Sequence, residues 1–194
     1  DSGVVDYIVN GPGDNTFPNL IETLENNEKE SLILIKNLIY KDEKGSIIKT
    51  AVEALLDQDS LPKFPYTYLN TFYPVENYLA KTLMGNKTLS YHSSMGCPFS
   101  CSFCAVVPIF NAKWKGMSAE RIYEDVNYFK QNYNIDAVEF HDNNFFTSKK
   151  RVLEFSKLIM NDNISYWGEG RIDTINLYSD DDLMLMRKAG CKMI

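Results

Sequence analysis

From Thr88 to the last residue, short apolar runs alternate with amphipathic stretches, and that alternation leaves few possible folds. Thr88 to His92 reads as a strand. Ser118 is placed to cap a helix whose Ile122, Val126, Phe129 and Tyr133 share one face. Ala137 to Phe140 reads as a second strand, and Ser148 opens a helix that turns Val152, Phe155 and Ile159 inward. Ile164 to Trp167 is a third strand. Ser179 and Asp182 form a capping-box variant before a helix, Leu183 to Ala189, that stops at Gly190. Cys191 to Ile194 then opens a fourth strand. Strands separated by single helices pair in parallel through right-handed crossovers. About three and a half such units are present, fewer than the eight of a closed α/β barrel.

The residues before Thr88 follow a different rule. Val4 to Val9 reads as a strand, and Asn10 to Asn15 as a turn rich in breaker residues. Phe17 to Leu24 reads as a short helix. Ile33 to Tyr40 and Ser46 to Thr50 flank Lys41-Asp42-Glu43-Lys44-Gly45, a hairpin signature in which Gly45 supplies the positive φ. Pro62, Pro65 and Pro74, with Tyr66, Tyr68, Tyr73 and Tyr78, mark an irregular connector whose aromatics are expected to pack against the barrel. The expected division is residues 1–60, a connector 61–86, and the parallel units 87–194.

Charge and hydropathy narrow the function classes. The net charge is −6, and the longest basic cluster is Lys149-Lys150-Arg151 at a helix start. That gives no footprint for nucleic acid. The longest apolar run, Leu32 to Tyr40, is interrupted by Lys36 and Asn37 and is too short to span a bilayer. No basic-then-apolar leader follows Asp1, so a cytoplasmic protein is expected. In that compartment cysteines serve metals or catalysis more often than disulfides. An apolar segment follows the first residues at once, and the chain stops as a strand opens, so an internal fragment is expected.

Three of the four cysteines fall in the loop after the first of these strands: Cys97, Cys101 and Cys104. Thiolates are soft ligands suited to iron–sulfur clusters or zinc. Three of them can hold three irons of a cubane and leave the fourth open. A closed zinc site needs a fourth ligand, which His92 or Cys191 would have to supply. Cys191 is otherwise simply core. Asp142, Asn143 and Asn144 end the second strand, and Gly168-Glu169-Gly170-Arg171 ends the third. Carboxylate and amide oxygens there suit an ammonium donor, although a polar turn would use the same residues. Arg171 offers a planar fork to a carboxylate, with Glu169 as an alternative partner.

The spacing Cys97-x-x-x-Cys101-x-x-Cys104, with Phe103 before the last cysteine, resembles the radical S-adenosylmethionine (SAM) superfamily. The segment Val5 to Phe17, the connector Leu56 to Pro62, Lys113-Trp114-Lys115, Ser118 and Glu139 to Phe145 are similar to its cobalamin-dependent branch. The resemblance implies a partial radical SAM (β/α) barrel preceded by the C-terminal remnant of a Rossmann-like cobalamin-binding domain. It implies a 4Fe–4S cluster on Cys97, Cys101 and Cys104, with SAM on the open iron. It further implies Phe103 beside the adenine, and Asp142, Asn143, Asn144 and Arg171 in the cofactor site. Cobalamin would be gripped largely by residues upstream, because the Asp-x-His-x-x-Gly element of the branch is absent here. The implied activity is methylation of an unactivated carbon of a small molecule, with an external electron donor. Ring-forming or rearrangement chemistry and a non-catalytic metal-binding fragment are the alternatives.

Overall fold

The computed structural model describes residues 4–194. They divide after Leu55 into two compact units.

The first unit carries strand β1 (Tyr7–Val9), helix α1 (Thr16–Glu25), strand β2 (Leu38–Lys41) and strand β3 (Ile47–Lys49). The strands lie in the order β1-β2-β3, both pairings antiparallel. This differs from the parallel pairing of a Rossmann-like sheet. The expected hairpin forms because its turn is specified twice. Gly45 takes φ +80°, and the Asp42 carboxylate accepts from the amides of Lys44 and Ser46 at 2.9 and 2.8 Å. The first arm is shorter than read from sequence, since Lys29–Leu34 winds into a 3-10 helix. Leu20, Leu32, Ile35 and Leu38 form a small core beneath α1.

The second unit opens with the connector, which contains helix α2 (Tyr66–Leu69). Then come strands β4 (Thr88–Tyr91) and β5 (Ser94–Gly96), helix α3 (Val106–Phe110), strand β6 (Trp114–Gly116) and helix α4 (Ala119–Tyr133). Strand β7 (Ala137–Phe140), helix α5 (Lys149–Ile159), strand β8 (Ser165–Gly168), helices α6 (Ile172–Ile175) and α7 (Asp180–Lys188), and strand β9 (Cys191–Met193) complete it. The parallel sheet has the order β4-β7-β8-β9, as the alternation requires.

Strand parity assigns the two faces. Leu89, Tyr91, Val138, Phe140 and Tyr166 are buried in one core with Ile122, Val126 and Phe129 of α4 and Val152, Phe155 and Ile159 of α5. Phe140 stacks on Phe145 with ring centroids 4.2 Å apart. The opposite face carries the register row Ser90, Glu139 and Trp167, none of them fully buried. Helix starts agree with the sequence. Ser118 accepts from the Arg121 amide at 3.1 Å, Ser148 from the Arg151 amide at 3.4 Å, and Ser179 with Asp182 forms a complete capping box.

The connector docks on α4 through few of its aromatics. Tyr66 meets Phe129 edge-on at 4.5 Å, Asp59 accepts from the Ser118 amide at 2.9 Å, and Arg121 donates to the Leu61 carbonyl at 3.2 Å. Tyr68, Tyr73 and Tyr78 remain exposed, against expectation. Among the described residues no helix is long and apolar enough to cross a membrane.

Candidate metal and cofactor site

The cysteine loop runs between two strands that sequence periodicity missed. β5 and β6 pair antiparallel, Ser94 opposite Gly116 and Gly96 opposite Trp114. Residues 97–113 therefore leave from and return to one short ladder. Gly96 has φ +78°, and a side chain there would run into the Lys113 carbonyl and Phe110, so the entry to the loop demands glycine. Two glycines flanking the loop, Gly96 and Gly116, were the available sequence signal.

Cys97, Cys101 and Cys104 are free thiols, each partly exposed. The Cys104 amide donates to the Cys101 carbonyl at 3.1 Å, giving the last two cysteines a turn. Phe103 is 91% exposed on the same loop. Among the described residues no group of three His, Cys, Asp or Glu side chains converges closely enough to hold a metal ion. The donor set nonetheless suits a soft centre: three unpaired thiols in eight consecutive positions.

Arg171, after β8, reaches this loop. Its Nη1 donates to Cys101 Sγ, and its guanidinium lies 4.0 Å from the centroid of the Phe99 ring. Asp173 binds the other edge of the fork, at 2.9 Å to Nε and 2.6 Å to Nη2. Asp173, and not the alternative Glu169, is thus the carboxylate that pairs with Arg171. That pair holds Arg171 firmly protonated, chiefly through the Asp173 hydrogen bonds, and pulls the Asp173 carboxyl below its ordinary range.

The trio at the end of β7 divides. Asn143 is exposed. Asp142 is fully buried, and its carboxylate accepts from the Ser93 amide at 3.1 Å, the Ser93 hydroxyl at 3.0 Å and the Ser94 hydroxyl. Asn144 is also fully buried, donating to Thr174 Oγ1 at 3.4 Å, with its Oδ1 unpartnered. Asp142 and Asn144 therefore face inward, where Ser93, Ser94 and Thr174 supply donors and acceptors behind the strand ends. His141 turns to Glu139, 3.6 Å from its carboxylate. Cys191 lies in the apolar core with its thiol pushed up to about 11 by burial, as a core cysteine would.

No protein-family model matches the chain. It is 30% identical over 98% of its length to an uncharacterized methyltransferase of Pyrococcus horikoshii, of which it spans 39%. It is 25% identical over 97% to a hopanoid C-3 methylase of Methylococcus capsulatus, spanning 34%. It is 22% identical over 96% to an anaerobic magnesium-protoporphyrin IX monomethyl ester cyclase of Synechocystis, spanning 36%. Among solved structures, the cobalamin-dependent SAM radical enzyme OxsB, with aqua-cobalamin and SAM bound, superposes with a TM-score of 0.71. That match has 19% identity and covers 96% of this chain and 27% of OxsB. The radical SAM methyltransferase TsrM of Kitasatospora setae, with cobalamin and a 4Fe–4S cluster, gives 0.65 at 15% identity, covering 96% of this chain and 36% of TsrM. The chain thus spans little more than a third of the curated relatives it matches.

Proposed function

We infer, from a chain that is kin to the cobalamin-dependent radical SAM enzymes, that it forms the cluster- and SAM-binding part of a radical methyltransferase acting on an unactivated carbon of a small molecule. Cys97, Cys101 and Cys104 would hold a 4Fe–4S cluster with one iron open to SAM. When bound, the cluster would supply the electron that cleaves the SAM sulfonium, and cobalamin, gripped mainly outside these residues, would supply the methyl group. The observation that carries the reading is the stapled loop of three free thiols beside the carboxyl end of a parallel sheet, where α/β folds collect their chemistry.

The chain's own side chains have defined parts. Arg171, kept charged by Asp173, presents its remaining edge at the loop and suits the SAM carboxylate. Phe103, free of the core, offers a face for the adenine. Asn143 offers an amide for the SAM amino group. The partly polar sheet face of Ser90, Glu139 and Trp167 would line the interior of a closed (β/α) barrel, and residues 4–55 would be the remnant of the cobalamin-binding domain. An external electron donor is required. A second reading, ring formation rather than methylation, draws support from the cyclase among the relatives.

Anaerobic reconstitution with iron and sulfide tests this. The reduced protein is expected to give a 4Fe–4S electron paramagnetic resonance signal that shifts when SAM is added. Cys101→Ala is expected to abolish cluster assembly, since three thiolates are the minimum. Full iron content in that variant, or zinc in place of iron in the parent chain, would overturn the assignment.

A further inference from the structure

Beneath the cysteine loop lies a polar network with no place in apolar packing. Asp142 and Ser93 are fully buried, and Arg151 is 6% exposed. Arg151 Nη1 donates to the Ser93 carbonyl at 3.0 Å and the Ser93 hydroxyl at 3.1 Å, while Nη2 donates to the Phe145 carbonyl at 2.8 Å. The Ser93 hydroxyl in turn donates a hydrogen bond to Asp142 at 3.0 Å, so serine bridges cation and carboxylate. The guanidinium also lies over the rings of Trp114 and Phe145, 5.2 and 5.1 Å from their centroids.

Four elements meet here: the link from β4 to β5 through Ser93 and Ser94, β6 through Trp114, the end of β7 through Asp142, and α5 through Arg151. A buried charge network of this kind is a costly way to stabilise a fold, because well-packed apolar residues do as well or better. Its return is geometric. Hydrogen bonds to three donors fix the path of Ser93 and Ser94, and Cys97 follows three residues later.

We propose that Asp142 is a positioning residue for the cysteine loop. Acting through Ser93 and Ser94, with Arg151 as its buried counter-charge, it sets the backbone from which Cys97 is presented. This rests on the cluster reading for its purpose, but the contacts belong to the metal-free chain. With its oxygens occupied and no exposed surface, Asp142 is a support behind the site and not a ligand within it.

The test compares Asp142→Asn and Ser94→Ala with Phe155→Leu, which loosens the same core without touching the loop. Amide hydrogen exchange in the cluster-free chain should quicken across residues 93–104 in the first two variants, with α4 unchanged. In the reconstituted chain, loss of iron to a chelator should be about 10–100-fold faster in Asp142→Asn, the range found for supporting partners of metal ligands. Ser94→Ala removes one donor, keeps the buried charge paired, and should shift both readouts the same way by less. If Asp142→Asn does not fold, Ser94→Ala decides the matter. Unchanged exchange across 93–104, or equal iron loss in Phe155→Leu, would overturn the proposal. A parent chain that takes up no iron would sink the cluster reading, while the exchange data would still decide whether Asp142 holds the loop.

Discussion

At the scale of single residues, environment separates the four cysteines more sharply than sequence does. Cys191 is buried and its thiol is pushed up to about 11, so it stays protonated and inert at neutral pH. The three loop thiols are partly exposed. Iodoacetamide applied to the folded, metal-free chain at pH 8 is expected to label Cys97, Cys101 and Cys104 before Cys191, with peptide mass spectrometry as the measure. Early labelling of Cys191 would contradict its place in the core. Burial also separates residues of one type at a strand end. Asp142 and Asn144 are of the residue types that would bind a ligand at a strand end, and the same types serve as internal braces. Only the fold reveals that Ser93 and Thr174 stand behind them. Arg171 is legible as a fork, but its carboxylate partner two residues on, Asp173, is fixed by the local turn and not by any pattern in the sequence.

At the scale of elements, legibility followed the length of the signal. α4 and α5 carry several apolar positions at helical spacing and begin at side-chain caps, so local residues determine them. β5 and β6 are three residues each, and their pairing is closed by tertiary contacts that no short pattern announces. α7 begins at its own capping box and is braced there from α5. Lys149 and Ser179 hold the Asp182 carboxyl down at about 2. Its folded value lies below the unfolded one, about 3.9, so its contribution is complete above that pH and fades as pH falls toward 2. The protection of α7 amides, after division by the intrinsic exchange rate, should therefore fall between about pH 4 and 2, and Asp182→Asn should flatten that dependence. Ser179→Ala should cost about 1 kcal/mol, read from urea unfolding.

At the scale of the whole molecule, each unit holds its own core. Phe155→Ala should cost about 3–5 kcal/mol in the second unit. Amide exchange among Leu20, Leu32, Ile35 and Leu38 should be unmoved, because none of these belongs to the Phe155 cluster. The strand–helix alternation prescribed the parallel order β4-β7-β8-β9 because each crossover has one favoured hand. The antiparallel first unit was less legible because its short strands pair through turns and not through a repeated unit. The ladder joining Gly96 to Trp114 has a further consequence. By pinning both ends of one loop, it keeps the three thiols on a single tethered span. If the proposed cluster is held there, a metal caught by one sulfur would meet the other two at an effective concentration on the order of millimolar. Capture would then be nearly all-or-none, and losing any one thiol would forfeit far more than a third of the grip.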